Sequence, residues 1–318
     1  MHFSKKNFLF KKCSCVNVFF GYLQRRKKQK QGQIGMSGII TLTTDWGGGD
    51  PDMALFKALV WKQNPQAVFA DVSHQVKHSS LYHAAYLLEM VCWNFPKGSV
   101  HVADCRNFTS EQFARVRRKE RPLLFTDFLG IRCRNQYFLM ENNGIFSQLC
   151  PDFDEVEEVV KLKECDDYAH FNTFNALNYY AAAAARLSAG APLAEVGESY
   201  PLENLQRISP YRLKVEAGLV TGNICHIDAF GNLLTNIRAE DLEKAGIKEK
   251  KIHVQVARCM EKMENVSLLK RYLSVADFDY FAVCNSSGYL EIGQKNASLA
   301  DALFEDNSGI GDEITLMI

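Results

Sequence analysis

The stretch TLTTDWGGGDPD, residues 41–52, places a carboxylate where open sheets do their chemistry. A run of β-formers from Ile39 to Thr44 ends in Asp45, followed by Trp46, three glycines, Asp50 and Asp52. Ligands of open α/β sheets sit beyond the carboxyl ends of the strands, so Asp45 falls on the ligand side. An anion would be repelled there, and no G-x-x-x-x-G-K-[ST] run follows, which argues against a phosphate cradle. A carboxylate that accepts two hydrogen bonds suits a diol such as a ribose. The competing reading makes Asp45 a cap for the next helix or turn.

Three further groupings have chemical potential. In HIDAFGNLLTN (226–236), Asp228, Phe230 and Asn232 share one bend between two strands. An aromatic face beside an amide makes a seat for a purine, while Gly-Asn also makes an ordinary hairpin turn. In CNSSGYLEIG (284–293), Ser286 and Ser287 follow a strand and suit an amino-acid head group or a simple turn. In ENNGIF (141–146), Asn143 and Gly144 close a strand on the ligand side.

Positioning such groups requires a sheet, and the chain supplies one. From Gly38 to about Leu205, short apolar strands (GIITLTT, AVFADVS, GSVHVAD) alternate with stretches of helical spacing (PDMALFKALVWKQNP, SLYHAAYLLEMVCWNF, NALNYYAAAAARLSAG). That order predicts an α/β fold with a mostly parallel sheet and helices on both faces. RNQYFLMENNGIFSQL adds a strand running into a turn and a helix, and Gly190 closes the alanine-rich helix. Beyond Pro210, strands separated by turns predict a smaller all-β domain. The expected organisation is residues 1–35 as a basic tail, 36–205 as the α/β domain and 206–318 as the β domain.

The chain has 318 residues, 47% hydrophobic and 23% charged, the composition of a soluble globular protein. Its formal net charge of zero hides an asymmetry: residues 1–35 carry nine Lys/Arg and no acid, leaving 28 bases against 37 acids, a net of −9, for the rest. That body has no electrostatic reason to bind nucleic acid. The tail lacks a small-residue cleavage site and is followed by RRKKQKQ, so it reads as a disordered extension or an upstream start, with Met36 the functional beginning. No later segment reaches the ~18 apolar residues of a membrane span. The ten cysteines have no C-x-x-C spacing after the tail and read as reduced thiols of a cytoplasmic protein, with no metal framework.

Six motifs in order, ITLTTDWGGGDPDMALFKALV, DVSHQV (71–76), FPKGSVHVAD (95–104), NNGIFSQL (142–149), HIDAFGNLLTNI (226–237) and NSSGYLEIG (285–293), resemble the S-adenosylmethionine (SAM) hydroxide adenosyltransferase and halogenase family. The resemblance runs from Gly38 to the C-terminus. It implies an α/β domain followed by a β-barrel, and a homotrimer whose sites lie between the first domain of one subunit and the second of its neighbour. SAM is then the substrate, with no cofactor, and adenosine a ligand. Asp45 would bind the ribose hydroxyls, with Trp46 also a substrate contact; Asn143, Asp228, Phe230 and Asn232 match ligand contacts, and Ser286 the serine near the methionine head group. Where the fluorinase branch has an arginine next, this chain has Ser287.

The water-activating set of that family is altered. Its hydroxide branch uses an Asp in D-P-G-V-G, a following Arg and a His from F-H-G-R-D. After VHVAD this chain reads CRNFTSEQ, so Asp104 supplies the Asp once a two-residue gap is allowed, with Arg106 nearby. TFNALN (173–178) puts Asn175 where the His stands, and asparagine takes no proton at neutral pH. His170 lies five residues earlier. The turn P-D-N-G becomes Glu141-Asn142-Asn143-Gly144. The expected function is SAM hydrolysis to adenosine and methionine with water positioned by Asp104 and Asn175. The alternatives are a SAM- or adenosine-binding protein without turnover and a halide-using adenosyltransferase.

Overall fold

The computed structural model describes residues 37–105, 127–168, 176–248, 251–259, 262–270, 275–304 and 309–318. Arg106, His170, Asn175 and the basic tail lie outside the described residues.

The first strand, β1 (Ile39–Thr44), is buried along nearly its whole length, as expected for a β-branched run with neighbours on both faces. It lies between β2 (Val68–Ser73) and β3 (Val100–Asp104), parallel to both. The sheet continues through β5 (Gln136–Glu141), β4 (Phe128–Cys133), β6 (Val156–Leu162) and β7 (Gly197–Ser199). β5 is parallel to β3, while β4 and β7 run opposite to their neighbours, so five of the seven strands point one way. The β4–β5 connection is a hairpin through Arg134 and Asn135, at φ 50° and 59°. Two left-handed residues match the twist of an antiparallel pair, here without a glycine to announce the turn.

Helices cover both faces. On one, α1 (Asp52–Gln63) buries Phe56, Leu59 and Val60 against Ile40, Leu42 and Val100. The alanine-rich segment lies on the same face; a single π turn (Leu177–Ala181) leads into a helix (Ala182–Ser188) whose Ala183, Ala184 and Ala185 are buried. On the other, α2 (Leu81–Cys92) packs Ala84 and Leu88 into a core with Ile131, Phe138 and Met140. Ser80 caps α2, accepting from the His83 N–H.

The second sheet is a barrel. Strands β9 (Leu219–Ile227), β10 (Leu233–Arg238), β11 (Lys251–Val256), β12 (Lys262–Leu269), β13 (Tyr280–Cys284), β14 (Tyr289–Gln294) and β15 (Glu313–Met317) pair in the order β10-β14-β13-β12-β11-β15-β9. β9 then pairs with β10, closing seven strands, and β8 (Lys214–Glu216) rides outside on β9. Ile224, Leu233, Val254, Val266, Leu290 and Leu316 fill the interior. Closure leaves no open edge among these strands.

The α2 helix also docks on the barrel and so fixes the strand that leads to Asp228. Tyr86 donates to the Thr235 carbonyl at 3.1 Å, and Arg238 pairs with Glu89 at 3.2 Å. His83 Nε2 stands 2.8 Å from His226 Nδ1. Because the Lys77 N–H donates to His83 Nδ1, the His83 proton sits on Nε2 and is given to His226. Burial, then His226 and Lys77, push the His83 imidazole down from 6.5 to about 3. The folded chain therefore holds His83 neutral where the unfolded chain would protonate it. Its stabilising contribution is complete above about pH 6.5 and is lost progressively on the way down to about pH 3. Urea unfolding should be nearly independent of pH above about 6.5 and lose stability below it, and His83→Gln should reduce that loss.

Candidate active site

Strand register brings the first group together. Thr44 pairs with Asp104 where β1 and β3 end, and the Asp45 N–H donates to the Asp104 carbonyl at 3.3 Å. The Trp46 indole N–H donates to Asp104 Oδ2 at 2.7 Å; both side chains are buried. Thus three of the expected site residues, Asp45, Trp46 and Asp104, form one cluster.

His74, from the DVSHQV motif, holds the loop that carries them. Its Nδ1 is 2.8 Å from Thr44 Oγ1, its Nε2 is 3.3 Å from Asp71 Oδ1, and its carbonyl accepts from the Gly47 N–H at 2.8 Å. The His74 ring also stacks on Trp46, with centroids 6.3 Å apart. Gly47 has φ +81°, a conformation that glycine adopts without strain. Lys57 pairs with Asp71 at 2.6 Å. Burial acts to raise the Asp71 carboxyl, but Lys57 and then His74 outweigh it and hold that carboxyl below its ordinary range.

The Asp45 side chain is 11% exposed, and its Oδ2 receives the Ser79 N–H at 3.4 Å and faces His78 Nδ1 at 3.5 Å. Cys105, 2% exposed, packs in the core beneath this cluster. Burial, followed by Asp45, Asp104 and Glu141, pushes that thiol far above its ordinary value, so it stays protonated. Asn143 belongs to the same neighbourhood: its Nδ2 donates to the Cys105 carbonyl at 3.0 Å, and its Oδ1 accepts from the Ile145 N–H at 3.2 Å. Asn142 instead ties the strand end to the 200–206 segment through Tyr200, Asn204 and Gln206. The altered turn therefore keeps a carboxylate near the cluster, from Glu141.

The second group stands on the barrel, beside a hollow of about 630 Å³ lined by Asp228, Phe230, Asn232, Phe281, Glu291 and Ser298 among others. Asp228 Oδ1 accepts the Phe230 and Asn232 N–H groups at 2.8 and 2.9 Å. The Asn232 amide donates to Asp228 Oδ2 at 3.0 Å and to Glu291 Oε1 at 2.9 Å. Asp228 and Asn232 thereby organise the bend, while Phe230, 78% exposed, presents its ring to the surroundings. Ser286 does not line this hollow; it is exposed in the turn from Asn285 to Gly288, whose Ser287 hydroxyl donates to the Met90 carbonyl at 3.4 Å.

Cys105, His74, Glu141 and Glu291 escape the sequence reading. Three of them stood in stretches already singled out, His74 in DVSHQV, Glu141 in the altered turn and Glu291 in NSSGYLEIG, but their contacts join positions far apart in the chain, so none was read as part of a site.

Residues 40–197 match the model of the SAM hydroxide adenosyltransferase N-terminal domain, and residues 222–314 that of the C-terminal domain. The chain is 26% identical over 261 residues to an (R)-S-adenosyl-L-methionine hydrolase of Methanocaldococcus jannaschii, covering 80% of this chain and 88% of that one. It is 27% identical over 280 residues to a fluorinase of an Actinoplanes species, covering 82% and 92%. An uncharacterized conserved protein from Thermotoga maritima shares the fold, with a TM-score of 0.71 and 24% identity over 88% of this chain and 100% of the other.

Proposed function

Since the chain belongs to the SAM hydroxide adenosyltransferase family, we propose that it hydrolyses SAM to adenosine and methionine. The observation that carries this reading is the carboxylate cluster at the ends of β1 and β3, with Asp104 fixed by the Trp46 indole at 2.7 Å. Asp45 would accept the ribose hydroxyls. Asp104 would orient a water in line with the C5′–S bond and take its proton. The water oxygen bonds to C5′, the C–S electron pair returns to sulfur, and neutral methionine leaves.

The sulfonium is already an activated leaving group, so the protein must chiefly align the nucleophile and exclude bulk water. Asp45, Asp104 and Glu141 surround Cys105 with negative charge, which attracts a cationic sulfonium and repels a halide. Neutral water, deprotonated as it attacks, suits that field better than chloride or fluoride. Asn175 would help to orient the water, and Phe230, Asn232 and Ser286 would reach the adenosyl and methionine ends from a neighbouring barrel in a homotrimer. The reaction calls for no cofactor, and a cytoplasmic location would supply SAM. Among the described residues, no helix is long and apolar enough to cross a membrane.

A second reading, a SAM- or adenosine-binding protein without turnover, is favoured by Asn175 standing where the family has a proton acceptor. Incubating the purified full-length chain with SAM, with and without chloride, separates the readings by chromatography. Adenosine and methionine above background, unaffected by chloride, are expected. Binding without product would favour the second reading, and a chloro-nucleoside would overturn the argument from charge.

A further inference from the structure

The hollow on the barrel contains a carboxyl group that has no part in the hydrolysis scheme. On β14, Leu290 and Ile292 belong to the barrel interior, so Glu291 between them points to the opposite face. There it lines the hollow, yet it is only 5% exposed. A buried carboxyl group needs a donor, and Asn232 supplies one. The Asn232 amide donates to Glu291 Oε1 at 2.9 Å and to Asp228 Oδ2 at 3.0 Å.

Two acceptors on one nitrogen settle which way that amide faces. With both N–H groups of the Asn232 side chain engaged, its oxygen takes the other side. The oxygen lies over Gly293, 2.1 Å from where a Cβ would stand, and the Phe281 ring edge crowds the same place. A side chain at position 293 would displace it, so the glycine keeps the room that this orientation needs. Among the described residues no donor meets Asn232 Oδ1, and the side chain thus presents the hollow with an acceptor and no free donor.

We infer that Glu291 is a specificity-determining positioning residue, which holds the Asn232 amide so that the site selects a purine with an exocyclic amine over one with a carbonyl in its place. This rests on the adenosyl reading of the site. An amine donates to the free oxygen, whereas a carbonyl there would face a second acceptor with no proton between them and would lose its water without replacement. Asp228 alone would occupy one N–H and leave the other able to serve a carbonyl. Glu291 takes that second N–H, so the discrimination comes as much from the donor it removes as from the acceptor it leaves.

The test begins with calorimetric binding of adenosine, purine riboside and inosine to the full-length chain. Adenosine should bind tightest, purine riboside, which lacks the amine, about fivefold more weakly, and inosine, with a carbonyl there, more than about tenfold more weakly. Glu291→Met keeps the length of the side chain without its acceptor and should reduce the adenosine preference over inosine to about twofold. Glu291→Gln keeps an oxygen within reach of the Asn232 amide and should hold that preference within about twofold of the original. A merely structural Glu291 would weaken all three nucleosides alike in the methionine variant, which would overturn the inference. Equal binding of adenosine and inosine by the unsubstituted chain would overturn it too, whether or not the variants fold. Failure of the unsubstituted chain to bind any of the three would instead overturn the adenosyl reading, and this inference with it.

Discussion

Asp45→Ala should weaken adenosine binding about a hundredfold while raising the melting temperature. Two ribose hydroxyls donating to one carboxylate contribute about 1.5 kcal/mol each at the low end for charged acceptors, roughly 3 kcal/mol in all. That corresponds to about two decades of affinity. The stability change has the opposite sign. Asp45 is nearly buried at the end of β1, with its N–H 3.3 Å from the Asp104 carbonyl. Its contacts with the Ser79 N–H at 3.4 Å and with the exposed His78 at 3.5 Å are both long, so little is lost when the side chain goes. Removing a nearly buried carboxylate that has only long contacts relieves a desolvation cost, the usual signature of a site selected for ligand binding at the expense of the empty fold. Calorimetry and thermal melts of the same preparation read both quantities. A variant that bound normally, or one that lost binding by unfolding, would remove Asp45 from the ligand site.

Much of this arrangement could be read in the sequence because it depends on short-range pattern. The β-branched run of β1, the helical spacing of α1 and α2, and the run of strands after Pro210 are all local patterns. Asp45 was visible because it ends a strand on the ligand side of an open sheet, whereas Asp104 came from the family resemblance. What periodicity does not encode is which distant side chains meet. Glu291 lies on a strand whose residues are almost all buried, so no alternation singles it out before it accepts the Asn232 amide. The hairpin at Arg134 and Asn135 had no glycine signal, and the antiparallel β4 went unread. The trio Asp228, Phe230 and Asn232 was found by its types, yet two of its members spend hydrogen bonds on each other and on the bend. Residue type indicated a site there; only geometry divided its members into scaffold and contact surface.

Asp104→Asn should reduce kcat for SAM hydrolysis by about a hundredfold to a thousandfold and leave KM within about twofold. The substitution is nearly isosteric, and an asparagine oxygen can still accept the Trp46 indole N–H that now meets Asp104 Oδ2 at 2.7 Å. The loop anchored by His74, Gly47 and Trp46 therefore has no reason to move, and ligand contacts made through Asp45 persist. The amide, however, cannot take a proton from the attacking water, and general-base assistance accounts for about 10²–10⁴ in rate. Removing a negative charge also weakens attraction for the sulfonium, but Asp45 and Glu141 remain in the same neighbourhood, which is why the expected loss lies in turnover more than in binding. Single-turnover kinetics separates the two. A rate unchanged by Asp104→Asn would mean that proximity and desolvation alone drive water onto C5′, leaving Asp104 with only the task of holding Trp46. A large rise in KM with kcat intact would place Asp104 among the groups that bind the cationic substrate.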